Sequence, residues 1–135
     1  MIVNFKSLNK NSRVWIFQSI DFIDDRVIEV IKEKISLFLN EWKSHQKDFK
    51  SSFEIRYNTF IIVAADESNL VSGCSIDSLV NFIKNLETSF DLQLLEKLHV
   101  KYIENGKIIT KHLNQFKIYC QSLGENENLI VFNNL

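Results

Sequence analysis

The chain has 135 residues, 45% of them hydrophobic and 24% charged, and a formal net charge of -1. That length fits one globular domain, able to bury roughly two-thirds of its unfolded surface without a disulfide or metal staple. The near-neutral balance, with no lysine-rich tail, argues against nucleic acid as a partner, and no apolar run approaches the roughly 20 residues that cross a bilayer.

The first ten residues alternate polar and apolar side chains without a signal-peptide core, so the expected location is cytoplasmic. There Cys74 and Cys120 stay as thiols. Proline is absent, which together with abundant Lys, Asn, Ile and Phe reads as the mutational bias of an AT-rich genome.

Residues 14–17, Val-Trp-Ile-Phe, read as a first strand, apolar on both faces. Asp24 then stands as a helix N-cap, with Asp25 favourable in the first turn and Ile23 and Ile28 at the spacing of a hydrophobic staple. Val27, Ile28, Ile31, Ile35, Phe38, Leu39 and Trp42 recur with the 3.6-residue period of an amphipathic helix, opposite Glu29, Lys32, Glu33 and Asn40. At Phe53 the period changes to two: Phe53, Ile55 and Tyr57 alternate with Glu54 and Arg56. Asn58-Thr59 turns the chain, and residues 60–65 read as a central strand.

A small-residue cluster, Ser72-Gly73-Cys74-Ser75-Ile76-Asp77, opens a second helix whose apolar face carries Ile76, Leu79, Val80, Ile83, Leu86 and Phe90. Asn105-Gly106 marks a hairpin between residues 99–104 and 107–112. Leu113, Phe116, Cys120 and Leu123 suggest a short third helix stopped near Gly124, and residues 129–132 an edge strand. The first six elements follow the βαββαβ order of a ferredoxin-like sandwich. The expected fold is α+β: two main helices on one face of a mainly antiparallel sheet, with a C-terminal extension, in one domain. Trp15, Ile31, Phe38, Ile62, Val80 and Ile83 form the expected shared core.

The cluster is the one segment that looks built for contact. Ser72 or Ser75 can cap the helix, Gly73 permits a sharp entry, and the positive end of the helix dipole favours an anion. The same field favours a thiolate at Cys74, while the charge of Asp77 opposes both effects. Ser72, Gly73, Cys74, Ser75 and Asp77 are therefore the candidate ligand-binding residues. In the plainer alternative Ser is a cap, Gly a turn, Asp a dipole partner and Cys74 a packed small residue, its thiol shielded until unfolding. A catalytic version would use Cys74 as nucleophile with His45 as base.

No His-x-x-x-His or Cys-x-x-Cys pair occurs, so neither metal nor cofactor is expected. Trp15 and Trp42 read as core side chains whose indole N–H groups want partners. Arg56 and Tyr57 read as an exposed cross-strand pair. Asp66-Glu67 reads equally as a cation-binding pair or as the end of a strand and start of a solvated loop.

Four islands together resemble a family of small Bacteroidetes-type proteins commonly labelled "ABC transporter ATPase". They are Arg13-Val14-Trp15-Ile16-Phe17-Gln18, Trp42 with His45, Tyr57-Asn58-Thr59-Phe60, and Ser72 to Asp77. Gln46 and Thr59 stand where that family more often has glycine and arginine. The resemblance implies a cytosolic bacterial protein and singles out residues 73–77. The label's chemistry does not follow, because three glycines and no Gly-x-x-x-x-Gly-Lys-Ser/Thr sequence leave no phosphate-binding loop. The expected function is thus a non-catalytic intracellular binding or complex-forming module for a protein partner or small anion, with a thiol-dependent enzyme as the alternative.

Overall fold

The computed structural model describes residues 1–44, 47–66, 72–124 and 128–132. Strand β1 (Arg13–Gln18) leads through a short loop into helix α1 (Asp25–Glu41), and their junction follows the sequence signals closely. Asp24 caps the helix, its Oδ1 accepting from the Arg26 N–H at 2.8 Å, and Asp25 occupies the first turn. Ile23 and Ile28, on either side of the cap, are both buried in one apolar cluster, as a staple requires. Ile31, Ile35 and Leu39 continue the stripe, and the helix ends at Trp42, whose backbone is extended.

Two short strands follow, β2 (Lys43–Ser44) and β3 (Lys47–Asp48), paired antiparallel. Next come β4 (Ser51–Arg56) and β5 (Phe60–Ala65), joined by a turn in which Tyr57 (φ 56°) and Asn58 (φ 52°) are both left-handed. The reversal therefore sits one residue earlier than Asn58-Thr59. Asparagine tolerates this conformation; tyrosine adopts it under constraint. The constraint is a clasp onto the loop before α1. Asn58 Nδ2 donates to the Ile23 carbonyl, Thr59 Oγ1 to the Ser19 carbonyl, and the Ser19 N–H to the Thr59 carbonyl at 2.7 Å. Arg56 pairs with Glu54 on its own strand at 2.7 Å.

The first unit, Met1–Leu95, is completed by helix α2 (Gly73–Phe90) over an antiparallel sheet of order β1-β5-β4. Phe17 of β1 and Ile61, Val63 and Ala65 of β5 face one side, where they meet Ile28, Ile31, Ile35 and Leu39 of α1 and Leu79, Ile83 and Leu86 of α2. Both main helices thus pack on one face of this sheet. Ile62 was expected in that core, but strand alternation turns it to the opposite face and Ile61 and Val63 take its place. Val80 is likewise only half-buried, at the margin of the α2 stripe. At the outer edge of β4, Ile2 forms a parallel bridge with Ser51, and the Met1 ammonium donates to the Phe49 carbonyl.

The second unit, Glu96–Leu135, contains β6 (His99–Glu104), β7 (Lys107–His112), helix α3 (Leu113–Ser122) and β8 (Ile130–Val131). Asn105 (φ 52°) and Gly106 (φ 76°) make the hairpin turn, both left-handed as a tight reversal demands. β6 is the centre of an antiparallel sheet of order β7-β6-β8.

This corrects the expected sandwich. Three strands take the order 1-3-2 of a ferredoxin-like sheet, but the fourth, β6, pairs elsewhere. A strand has two hydrogen-bonding edges, and β7 and β8 occupy both edges of β6. The molecule is α+β with three helices and two three-stranded antiparallel sheets among the described residues. The contacts group the chain into two compact units, and the segment where they meet along the chain is apolar, with Leu92, Leu94, Leu95 and Leu98.

Candidate functional site

Helix α2 begins as the small-residue cluster suggested, with Ser72 as its cap. The Ser72 Oγ accepts from the Ser75 N–H at 3.2 Å and lies 3.0 Å from the Ser75 Oγ. Ser75 is buried, and its hydroxyl donates to the Lys43 carbonyl at 2.8 Å. The same turn of helix accepts a bond from the Trp42 indole, Nε1 to the Ser75 carbonyl at 2.8 Å. Both serines therefore tie the start of α2 to the chain leaving α1.

The remaining members of the cluster face outward. Gly73, Cys74 and Asp77 are exposed. Asp77 stands beyond the first turn, so it is not placed to compensate the dipole there. The reading of Cys74 as a packed small residue is overturned: it is a free, exposed thiol on the second residue of the helix. Periodicity explains the difference, since Ser75 and Leu79 take the buried positions and Cys74 falls on the outer side. His45, its proposed base, lies outside the described residues, as does Glu67 of the Asp66-Glu67 pair.

Three of the four islands converge. Trp15 packs edge-on against Trp42 with ring centroids 5.6 Å apart, and the Arg13 guanidinium lies 5.1 Å from the Trp15 ring centre. Trp42 in turn contacts Phe38 and Phe49 and holds Ser75. The fourth island, Tyr57 to Phe60, is the clasp on the other loop. In this geometry the distinctive residues are joints between elements.

The histidines of the second unit are brought together by the Asn105-Gly106 hairpin, whose two-residue turn sets position 99 opposite 112. His99 and His112 are cross-strand partners with ring centroids 5.4 Å apart. His99 Nδ1 lies 2.8 Å from the Glu96 carboxylate, while His112 Nδ1 accepts from the Asn114 N–H and so caps α3. No group of three His, Cys, Asp or Glu side chains that could hold a metal ion occurs among the described residues. Among those residues no helix is long and apolar enough to cross a membrane.

One surface went unnoticed in the periodic pattern. Val30 is 41% exposed and Leu37 71% exposed, both on the side of α1 away from the core. Leu37 is the shared wall of two shallow grooves, one reaching Ile2 and Ser36, the other Phe38, Phe82 and Leu86. The signal was present: two apolar residues seven positions apart, outside the stripe of Ile28, Ile31, Ile35 and Leu39. Comparison with protein-family models, curated proteins and solved structures finds no match.

Proposed function

We propose that this chain is a non-catalytic, intracellular complex-forming module that docks a protein through the outward face of α1. The observation that carries this reading is the exposure of Leu37 at 71% on a ridge between two grooves. A large aliphatic side chain so placed gains by being covered, and grooves on both sides give a partner something to grip. The two free thiols support an intracellular setting. Of the expected ligand set, Ser72 and Ser75 are engaged in holding the fold, which favours a protein partner over a small anion.

A photo-crosslinking side chain at Leu37, in cells producing the chain, is expected to yield discrete crosslinked species. The same group at Asn81, exposed on α2, should not. Equal labelling from both positions, or none from either, would overturn the docking face.

A second reading rests on the exposed Cys74, the position a thiol enzyme would need. On the docking reading, both cysteines of the native protein should be alkylated without unfolding, and the rate at Cys74, read by peptide mass, should not change on His45→Ala. Selective slowing at Cys74 in that variant would favour the enzyme.

A further inference from the structure

The outward ridge of α1 has a pattern that specifies its own partner. Arg26, Val30, Glu33, Leu37 and Asn40 follow one another at spacings of four, three, four and three, and all are exposed. This is the seam spacing of paired helices. Lys34 and Glu41, also exposed, stand beside it. Among the described residues, Arg26, Glu33, Lys34 and Glu41 form no ion pair within the chain, whereas neighbouring Glu29 and Lys32 pair with each other at 3.3 Å.

We infer that α1 pairs antiparallel with α1 of a second copy of this chain, about a twofold axis passing between Glu33 and Lys34. In that register Val30 meets the partner's Leu37, Glu33 meets the partner's Lys34, and Arg26 meets the partner's Glu41. The symmetry repeats each contact. Two ion pairs at the centre are thus flanked by two apolar contacts and then by two outer ion pairs, and every unpaired charge just named acquires an opposite one.

The charge order disfavours two competing arrangements. A twofold axis through Leu37 would set Glu33 against the partner's Glu41, like charge on like. A parallel pair would oppose Glu33 to the partner's Glu33. Such juxtapositions are what suppresses wrong pairings.

Seventeen residues give a helix about 25 Å long. One such pair covers less than the roughly 800 Å² per partner of a standard interface. Self-association is therefore weak and concentration-dependent, and salt weakens it further.

This inference rests on the docking-face reading, and the test separates them. Sedimentation equilibrium of the purified full chain, from about 5 to about 500 μM, should show the mass rising toward a dimer. Leu37→Asp should abolish the rise, with an unchanged circular-dichroism melt establishing that the exposed position leaves the fold intact. Glu33→Lys alone should weaken association about tenfold by facing the partner's Lys34, and adding Lys34→Glu should restore it. A wild-type chain that stays monomeric throughout would overturn the self-pairing, as would a double variant no better than the single one. Should Leu37 then still crosslink in cells to a species other than a dimer, the docking face stands and only its occupant is wrong.

Discussion

Replacing Trp42 by Ala is expected to destabilise the first unit by about 3–5 kcal/mol, among the largest losses open to a single side chain here. The residue is 3% exposed, although it is not within a helix or strand. Its ring touches Trp15 from β1, Phe38 from α1 and Phe49 beyond β3, and its indole N–H reaches the first turn of α2. Truncation would open a cavity among three elements and remove a buried hydrogen bond together. Trp42→Phe separates the two effects, keeping most of the ring packing and losing the bond to Ser75, with an expected cost of about 1–2 kcal/mol. Urea unfolding followed by far-ultraviolet circular dichroism measures both. A Trp42→Ala loss below about 1 kcal/mol would show that these joints do not hold the unit together.

The same residue shows what the sequence could and could not disclose. Its membership of the core was legible, because it continues the period of Ile28, Ile31, Ile35 and Leu39. The identity of its hydrogen-bond acceptor was not, since Ser75 is 33 positions away and nothing local links them. The cap at Asp24, the Asn105-Gly106 hairpin and the extents of both main helices were legible for a common reason: each depends on side chains within a few residues.

Strand parity in residues 60–65 failed for the opposite reason. Five of its six side chains are buried, so no alternation of polar and apolar residues reveals which set faces the helices. Partner choice of β6 failed similarly, because a strand's own residues do not say which sheet will take its edges. The outward position of Cys74 was computable from the helix period once the N-terminus was placed at Gly73. Reading the cysteine as a small hydrophobe suggested burial instead.

The second unit offers the other large effect, at Tyr102. This side chain is fully buried on the central strand β6, stacked on Tyr119 with centroids 5.1 Å apart and tilted against Phe116 at 5.4 Å. Only the residues from Glu96 to Leu135 build this unit, and a core that small depends on each large ring. Tyr102→Ala is therefore expected to cost about 3–5 kcal/mol and to unfold it.

Tyr102→Phe should do the reverse. Among the described residues the buried Tyr102 hydroxyl makes no hydrogen bond of ordinary geometry, and the nearby Glu104 carboxylate accepts from Tyr119 Oη at 3.1 Å. Burial raises the phenol's pKa above its ordinary value, and the negative charge of Glu104 raises it further. The folded state thus disfavours the phenolate. Tyr102 leaves stability undiminished below about pH 10, where the unfolded chain is also neutral. Stability falls as the pH rises from there toward the folded value, because only the unfolded chain releases the proton. Removing the hydroxyl should stabilise the unit by about 1 kcal/mol at neutral pH, since an unsatisfied buried group disappears while the ring remains. The advantage of Tyr102→Phe should then widen above about pH 10. Thermal melts of both proteins from about pH 7 to about pH 11 test this directly; curves that stay parallel would show that the phenol reaches solvent or a partner and is not an isolated buried acid.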